Sequence, residues 1–243
     1  RIDQLSNQKL DLRTTTGTVT FRADANGDGQ GSFIMHSGDT ILTRGGNLNI
    51  FGVNIATGNI RTSGGDVNLT ASGIGQINTG VISTANNSNM GGDITLNSSE
   101  GSITTNNLET NGRLSGGNIT INSGRQIITG SLSSRSTDAE GVGGNIQLEA
   151  SREIFLEGVN TSGFRGGGDL SIVSQGSRII MDDSNNGTTP SRIITSSVRG
   201  EGGDVLITTS ESIDLGAIDS RGRQSGGNIT LDAGIEITVG AIS

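Results

Sequence analysis

Apolar residues in this chain fall in short alternating pairs and not at the three- and four-residue spacing of a helix face. Val205 and Ile207 form one pair, Ile213 and Leu215 a second, and Ile218 follows alone. Alternation by two is the strand period, because successive side chains point to opposite faces. Counted from Gly202, these residues stand at offsets 3, 5, 11, 13 and 16. The same offsets from Gly143 give Ile146, Leu148, Ile154, Leu156 and Val159, and from Gly226 they give Ile229, Leu231, Ile237, Val239 and Ile242. From Gly116 they give Ile119, Ile121, Ile127 and Leu132, with Thr129 the one polar occupant. Each repeat therefore predicts three strands of about three to five residues separated by turns, and no helix.

The glycine that starts each count opens a Gly-Gly-Asn or Gly-Gly-Asp triplet. Eight copies begin at Gly45, Gly64, Gly91, Gly116, Gly143, Gly167, Gly202 and Gly226, spaced by 19, 27, 25, 27, 24, 35 and 24 residues. Fixed strands with variable turns suit stacked coils whose corners absorb insertions. Gly, Asn, Asp and Ser at the corners are expected to supply positive φ. One coil cannot bury its Ile, Leu and Val alone. Coils stacked at about 4.8 Å hydrogen-bond to their neighbours and share a continuous core. The fold expected is an all-β, single-stranded, right-handed parallel β-helix (a β-solenoid) with three short strands per coil, its hand taken from the crossover rule for parallel strands. Propeller and leucine-rich repeats would need other periods and consensus residues, and collagen needs glycine at every third position.

Residues 1–243 read as a single β-solenoid array. Within it, 1–44 form irregular first coils. Leu10 and Leu12 belong to a partial coil, and Val19, Phe21, Phe33, Met35 and Ile41 to the next, around a polar loop from Asp24 to Ser32. Residues 45–243 carry the Gly-Gly repeats, and 182–190, with Asp182, Asp183 and the sole proline Pro190, form an inserted loop. Counting from Gly17 gives about nine coils, a stack about 43 Å long. No capping segment covers either end, so the array is expected to be a fragment of a longer chain.

Composition narrows the picture. With 41 Gly, one Pro, five Phe and no Cys, Trp or Tyr, the chain suits a narrow aliphatic prism, not a thick globular core. A net charge of −8 with 16 scattered basic residues argues against nucleic acid as a partner. No apolar run is long enough for membrane insertion. Low charge density and abundant Ser, Thr, Asn and Gly suit an extracellular structural element.

Four chemistries have candidate residues in this chain. Asp24, Asn26 and Asp28, followed by Gly29, match the opening of a calcium loop, in which oxygen ligands alternate and a glycine permits the bend. Met35 stands where the closing Glu would fall, so calcium is a candidate ion there only with ligands from elsewhere, such as Asp39; no cofactor is otherwise required. The third triplet residues, Asn47, Asp66, Asp93, Asn118, Asn145, Asp169, Asp204 and Asn228, should form a solvated ladder up one corner, with a cation between neighbouring Asp residues the alternative. Catalysis is not expected. Asp182 and Asp183 are the carboxylate candidates for a sugar-cleaving β-helix, but no Tyr or Trp offers a stacking platform, and His36 is the only histidine. An ice-binding face would need Thr at the same outward position in successive coils, and that row is mixed.

The Gly-Gly-Asn-Ile-Thr-Ile repeats, Val19 to Gly29 (Val-Thr-Phe-Arg-Ala-Asp-Ala-Asn-Gly-Asp-Gly) and Ser37 to Ile41 (Ser-Gly-Asp-Thr-Ile) resemble the filamentous-haemagglutinin-like exoproteins of two-partner secretion, the cyanobacterial members above all. That resemblance implies a right-handed β-helical shaft, passed through an outer-membrane secretion transporter and displayed or released for adhesion. The family's Asn-Pro-Asn-Gly secretion motif is absent from this sequence. The reading is a non-catalytic structural and adhesive shaft of a secreted cell-surface or extracellular fibre-like protein. Its alternative is a carbohydrate-active or carbohydrate-binding β-helix. Expected partners are copies of the chain, end to end or laterally, and cell-surface or matrix glycans.

Overall fold

Three parallel sheets of nine strands each wind into a right-handed β-solenoid of about nine coils in the computed structural model, which describes residues 8–13, 16–181 and 191–243. The inserted loop at 182–190 lies outside the described residues. The first sheet holds the strands that follow each Gly-Gly triplet, such as Ile119–Ser123 and Ile146–Ala150. The second holds strands such as Ile127–Ile128 and Ile154–Leu156, and the third strands such as Ser131–Ser133 and Gly158–Asn160. Each strand pairs with its counterpart one coil away, so the sheets run along the stack and the chain turns a corner between them.

Register keeps like on like. Ile94 pairs with Ile119 and Ile119 with Ile146 in the first sheet, Ile127 with Ile154 in the second, and Leu132 with Val159 in the third. A one-residue slip would turn every inward side chain to solvent, so the aliphatic alternation itself fixes the pairing. The inward residues form one core cluster from Met35 to Ile218, in which Ile146 and Ile207 are both buried and against which Leu231 packs partly buried. Each such side chain contributes about 1.5–3 kcal/mol of burial free energy. Phe21 and Phe33, with ring centroids 5.2 Å apart, pack against the core in the irregular coil before Gly45, and Leu10 and Leu12 pack against the same end.

One expectation about the corners is corrected. Among the described glycines only Gly27, Gly29, Gly45, Gly64 and Gly73 have positive φ. The Gly-Gly pairs from Gly91 to Gly203, and Gly227 of the last pair, are required by space, whereas Gly226 has room for a Cβ. A Cβ on Gly117 would overlap the carbonyl oxygen of Gly92 one coil below, and one on Gly116 would overlap the carbonyl oxygen of Ser134. Backbone packs on backbone at this corner, and a side chain at either position would wedge the coils apart.

Candidate functional site

The corner between the third and first sheets holds the stack together. Two residues after the last inward apolar residue of each coil stands a buried hydroxyl: Thr43, Thr62, Thr84, Thr110, Ser134, Thr161, Thr195 and Ser220. Thr110 Oγ1 donates to the Gly117 carbonyl at 2.7 Å, and the Gly117 N–H returns a bond to the Thr110 carbonyl at 2.8 Å. Thr161 does the same with Gly168, at 2.6 and 2.8 Å, and Thr195 with Gly203, at 2.8 and 2.7 Å. Thr84 with Gly92 and Ser220 with Gly227 form the same reciprocal clamp, whereas Thr43 and Thr62 donate through the hydroxyl alone; the clamp tolerates turns of different length because only its two ends need to meet. It also satisfies polar backbone that would otherwise be buried unpaired, at a cost of about 1–3 kcal/mol per group. Ser134 departs from the pattern by donating to Gly117 of its own coil's opening triplet, although the Gly144 N–H still bonds to the Ser134 carbonyl at 2.8 Å.

Outside the clamp runs the Asn/Asp ladder, and its chemistry explains why the two residues interchange. The backbone N–H of each member donates to Oδ1 of the member one coil below: Asp66 to Asn47 at 2.9 Å, Asp93 to Asp66 at 2.9 Å, Asn118 to Asp93 at 2.7 Å and Asn145 to Asn118 at 2.9 Å. Asp169, Asp204 and Asn228 continue it at 2.9, 2.9 and 2.7 Å. The bond common to every rung needs only an acceptor oxygen, which amide and carboxylate both supply, and at the last rung Asn228 Nδ2 also donates to Asp204 Oδ1 at 3.2 Å. From Asp93 onward the ladder side chains are solvent-exposed.

A second hydroxyl row lies where the first sheet turns into the second. Ser98 Oγ donates to the Gly75 carbonyl at 2.6 Å and Ser123 Oγ to the Gly101 carbonyl at 2.9 Å. At the next inward position of the second sheet, Thr57, Thr79, Thr105 and Thr129 are all buried, and Thr57 and Thr79 each donate to the following glycine carbonyl at 3.1 Å. Every buried side-chain nitrogen or oxygen among the described residues has a partner.

The structure brings the three calcium-loop residues together. Both Asp24 carboxylate oxygens accept the Gly29 N–H, at 3.1 and 3.3 Å, Asn26 Nδ2 donates to Asp28 Oδ2 at 2.8 Å, and the Gln30 N–H donates to Asp28 Oδ1 at 3.1 Å. The Asn26 bond holds the Asp28 carboxyl below its ordinary pKa. The Asp24 and Asp28 carboxylates thus accept hydrogen bonds from within the loop. Asp39 stands at the following corner, buried, and its Oδ1 accepts the Gln8 N–H at 2.8 Å. Among the described residues no group of three or more His, Cys, Asp or Glu could hold a metal ion.

His36 sits exposed in the turn after Phe33–Ile34, where its Nδ1 accepts the Gly38 N–H at 3.1 Å. Asp182 and Asp183 lie outside the described residues. What sequence reasoning passed over was the clamp hydroxyl. The signal was present as apolar-x-(Thr/Ser) in all eight coils, from Ile41-Leu42-Thr43 to Ile218-Asp219-Ser220.

No family model, curated protein or solved structure matches the chain. The architecture is a parallel β-solenoid consistent with extracellular fibre-like adhesins in general.

Proposed function

We propose that this chain is a non-catalytic structural and adhesive shaft of a secreted cell-surface or extracellular fibre-like protein. The observation that carries this reading is the succession of bonded corners: a buried hydroxyl donates to a glycine carbonyl in every coil from Thr43 to Ser220, the glycine returns the bond at five of the eight, and the Oδ1 ladder runs beside them while the turns between vary. Such a stack resists bending and local unfolding, because opening one coil exposes apolar surface on both neighbours. Its role is mechanical: a rod that carries binding surfaces away from the cell. The secretion transporter follows from the family resemblance and belongs to the same proposal.

Limited proteolysis combined with incubation on acidic and neutral polysaccharides tests it. The shaft reading expects the chain to stay intact at protease levels that digest an ordinary loop-rich domain, with no release of sugar ends. Sustained release of reducing or unsaturated ends would overturn it in favour of a carbohydrate-cleaving β-helix.

A further inference from the structure

Three of the 16 basic residues that read as scattered along the sequence come together in space. Arg165, Arg199 and Arg223 lie one coil apart on the turns between the third and first sheets, and the fold gathers them with Glu140, Gly200 and Gln224 around one surface recess of about 460 Å³. The turns are stacked backbone on backbone. The Arg165 N–H bonds to the Gly141 carbonyl at 3.0 Å, the Arg199 N–H to the Phe164 carbonyl at 2.7 Å, and the Gln224 N–H to the Gly200 carbonyl at 3.1 Å. A Cβ on Gly200 would overlap the Arg165 carbonyl, so the recess floor has a fixed shape.

The three guanidiniums are unequally committed. Arg165 Nη1 pairs with Glu140 Oε2 at 3.1 Å, both side chains largely exposed. Arg199 lies over the Phe164 ring at 4.8 Å, which fixes its plane and leaves its N–H donors free to face a ligand. Neither Arg199 nor Arg223 pairs with a carboxylate among the described residues. Three cations against one carboxylate make the recess a local positive site on a chain of net charge −8. A second recess shares Arg165 and Gln224 with the first and is also lined by Glu201, Asp169 and Asp204, the last two being rungs of the Asn/Asp ladder.

We propose that these adjoining recesses bind an acidic polysaccharide, with Arg199, Arg223 and Arg165 holding an oxyanion group of one sugar while Glu201, Asp169 and Asp204 accept hydrogen bonds from hydroxyls of its neighbour. Arginine forks match carboxylate and sulfate oxygens in pairs, and carboxylates beside them suit sugar hydroxyls but repel a continuous polyanion. A nucleic acid, charged at every unit, would run its phosphates onto the aspartate rungs. The shared chemistry is an oxyanion flanked by neutral hydroxyls, carried either as a uronate or as a sulfate ester. The proposal deepens the adhesive half of the shaft reading and rests on it.

Binding of the 243-residue chain to hyaluronate, which carries a uronate on alternate sugars only, to a sparsely sulfated dextran, to neutral dextran and to double-stranded DNA, measured by calorimetry at low salt, tests the site. Wild type should bind one or both acidic polysaccharides, the tighter one identifying uronate or sulfate as the source. The double variant Arg199→Gln/Arg223→Gln should lose about tenfold or more in affinity. Arg61→Gln, on the exposed end of a third-sheet strand, should bind as wild type. Circular dichroism and protease resistance of each variant report on the stack separately. Equal binding by the double variant, binding to neutral dextran or DNA as tight as to the acidic polymers, or no binding by a protease-resistant wild type would overturn the recess and leave the shaft standing. Loss of protease resistance in the wild type itself would sink the shaft.

Discussion

The coil that starts at Gly143 and the coil that starts at Gly226 carry apolar side chains at the same five offsets, yet they bury them differently. Ile154 and Val159 are 0% and 3% exposed, whereas their counterparts Ile237 and Ile242 are 43% and 52% exposed. The local sequence pattern is the same, and the described stack places a coil on both sides of the first but on one side only of the second. Burial in this fold is therefore a property of neighbours, and free energy accumulates along the stack as a sum of interface contributions. The corner clamp shows the same dependence: Thr161 bonds to Gly168 at 2.6 Å, while Ser220 reaches Gly227 at 3.3 Å.

The sharpest way to break the comparison is at the second glycine of the triplet. Gly144→Val would drive a branched side chain into the Gly117 carbonyl, and with coils on both sides the stack cannot move away. Chemical denaturation should show a loss of about 3 kcal/mol or more. Gly227→Val meets the Gly203 carbonyl in the same way but can lift the last coil, so its cost should be less than half as large. Next comes the core. Leu148→Ala leaves a cavity between two packed layers and should cost about 2–5 kcal/mol, whereas Leu231→Ala, at the same offset in the last coil, should cost about 1 kcal/mol.

Smaller effects sharpen the picture at the corners. Thr161→Val keeps the shape of the side chain and leaves the Gly168 carbonyl without its hydroxyl donor, a loss of about 1–2 kcal/mol by thermal or denaturant unfolding. The smallest effect is electrostatic. Asp219 accepts the Arg221 guanidinium at 2.9 and 2.7 Å, and this bonding holds its carboxyl below the ordinary pKa. The folded-state pKa is depressed, so the contribution is fully present above the unfolded carboxylate value of about 3.9 and is lost as pH falls below it. Asp219→Asn should lower stability slightly at neutral pH, the loss being small because the arginine is exposed to solvent, and the difference from wild type should disappear as pH falls through the acid limb.

The fold was legible in the sequence wherever a side chain's type was dictated by burial. Ile146, Leu148, Ile154, Leu156 and Val159 could be placed inward from alternation alone, because nothing but a dry core requires aliphatic residues at those offsets. The corner residues were legible in position but not in cause. Gly116 and Gly117 suggested positive φ, and their need for space emerges only when the next coil is set on top. Thr129 registered only as a polar break in the apolar pattern and the clamp hydroxyls drew no attention, since a hydroxyl bonded to a local carbonyl can be buried without betraying itself in hydropathy. The Asp24, Asn26 and Asp28 loop was found as a motif, but the hydrogen bonds that occupy its oxygens depend on backbone geometry that spacing does not encode. The arginine recess was invisible because its members are a coil apart, and coil lengths here range too widely to align them by counting.

The central claim is that each coil is buried by its neighbours in one aliphatic column. Native-state amide hydrogen exchange, read by mass spectrometry along the chain, tests it most directly. The strands Ile119–Ser123 and Ile146–Ala150 should exchange last and together, with protection falling coil by coil toward Val19–Arg22 on one side and Ile229–Ala233 on the other. Uniform protection with sharp breaks inside a coil, or central strands that exchange before the outer ones, would contradict it.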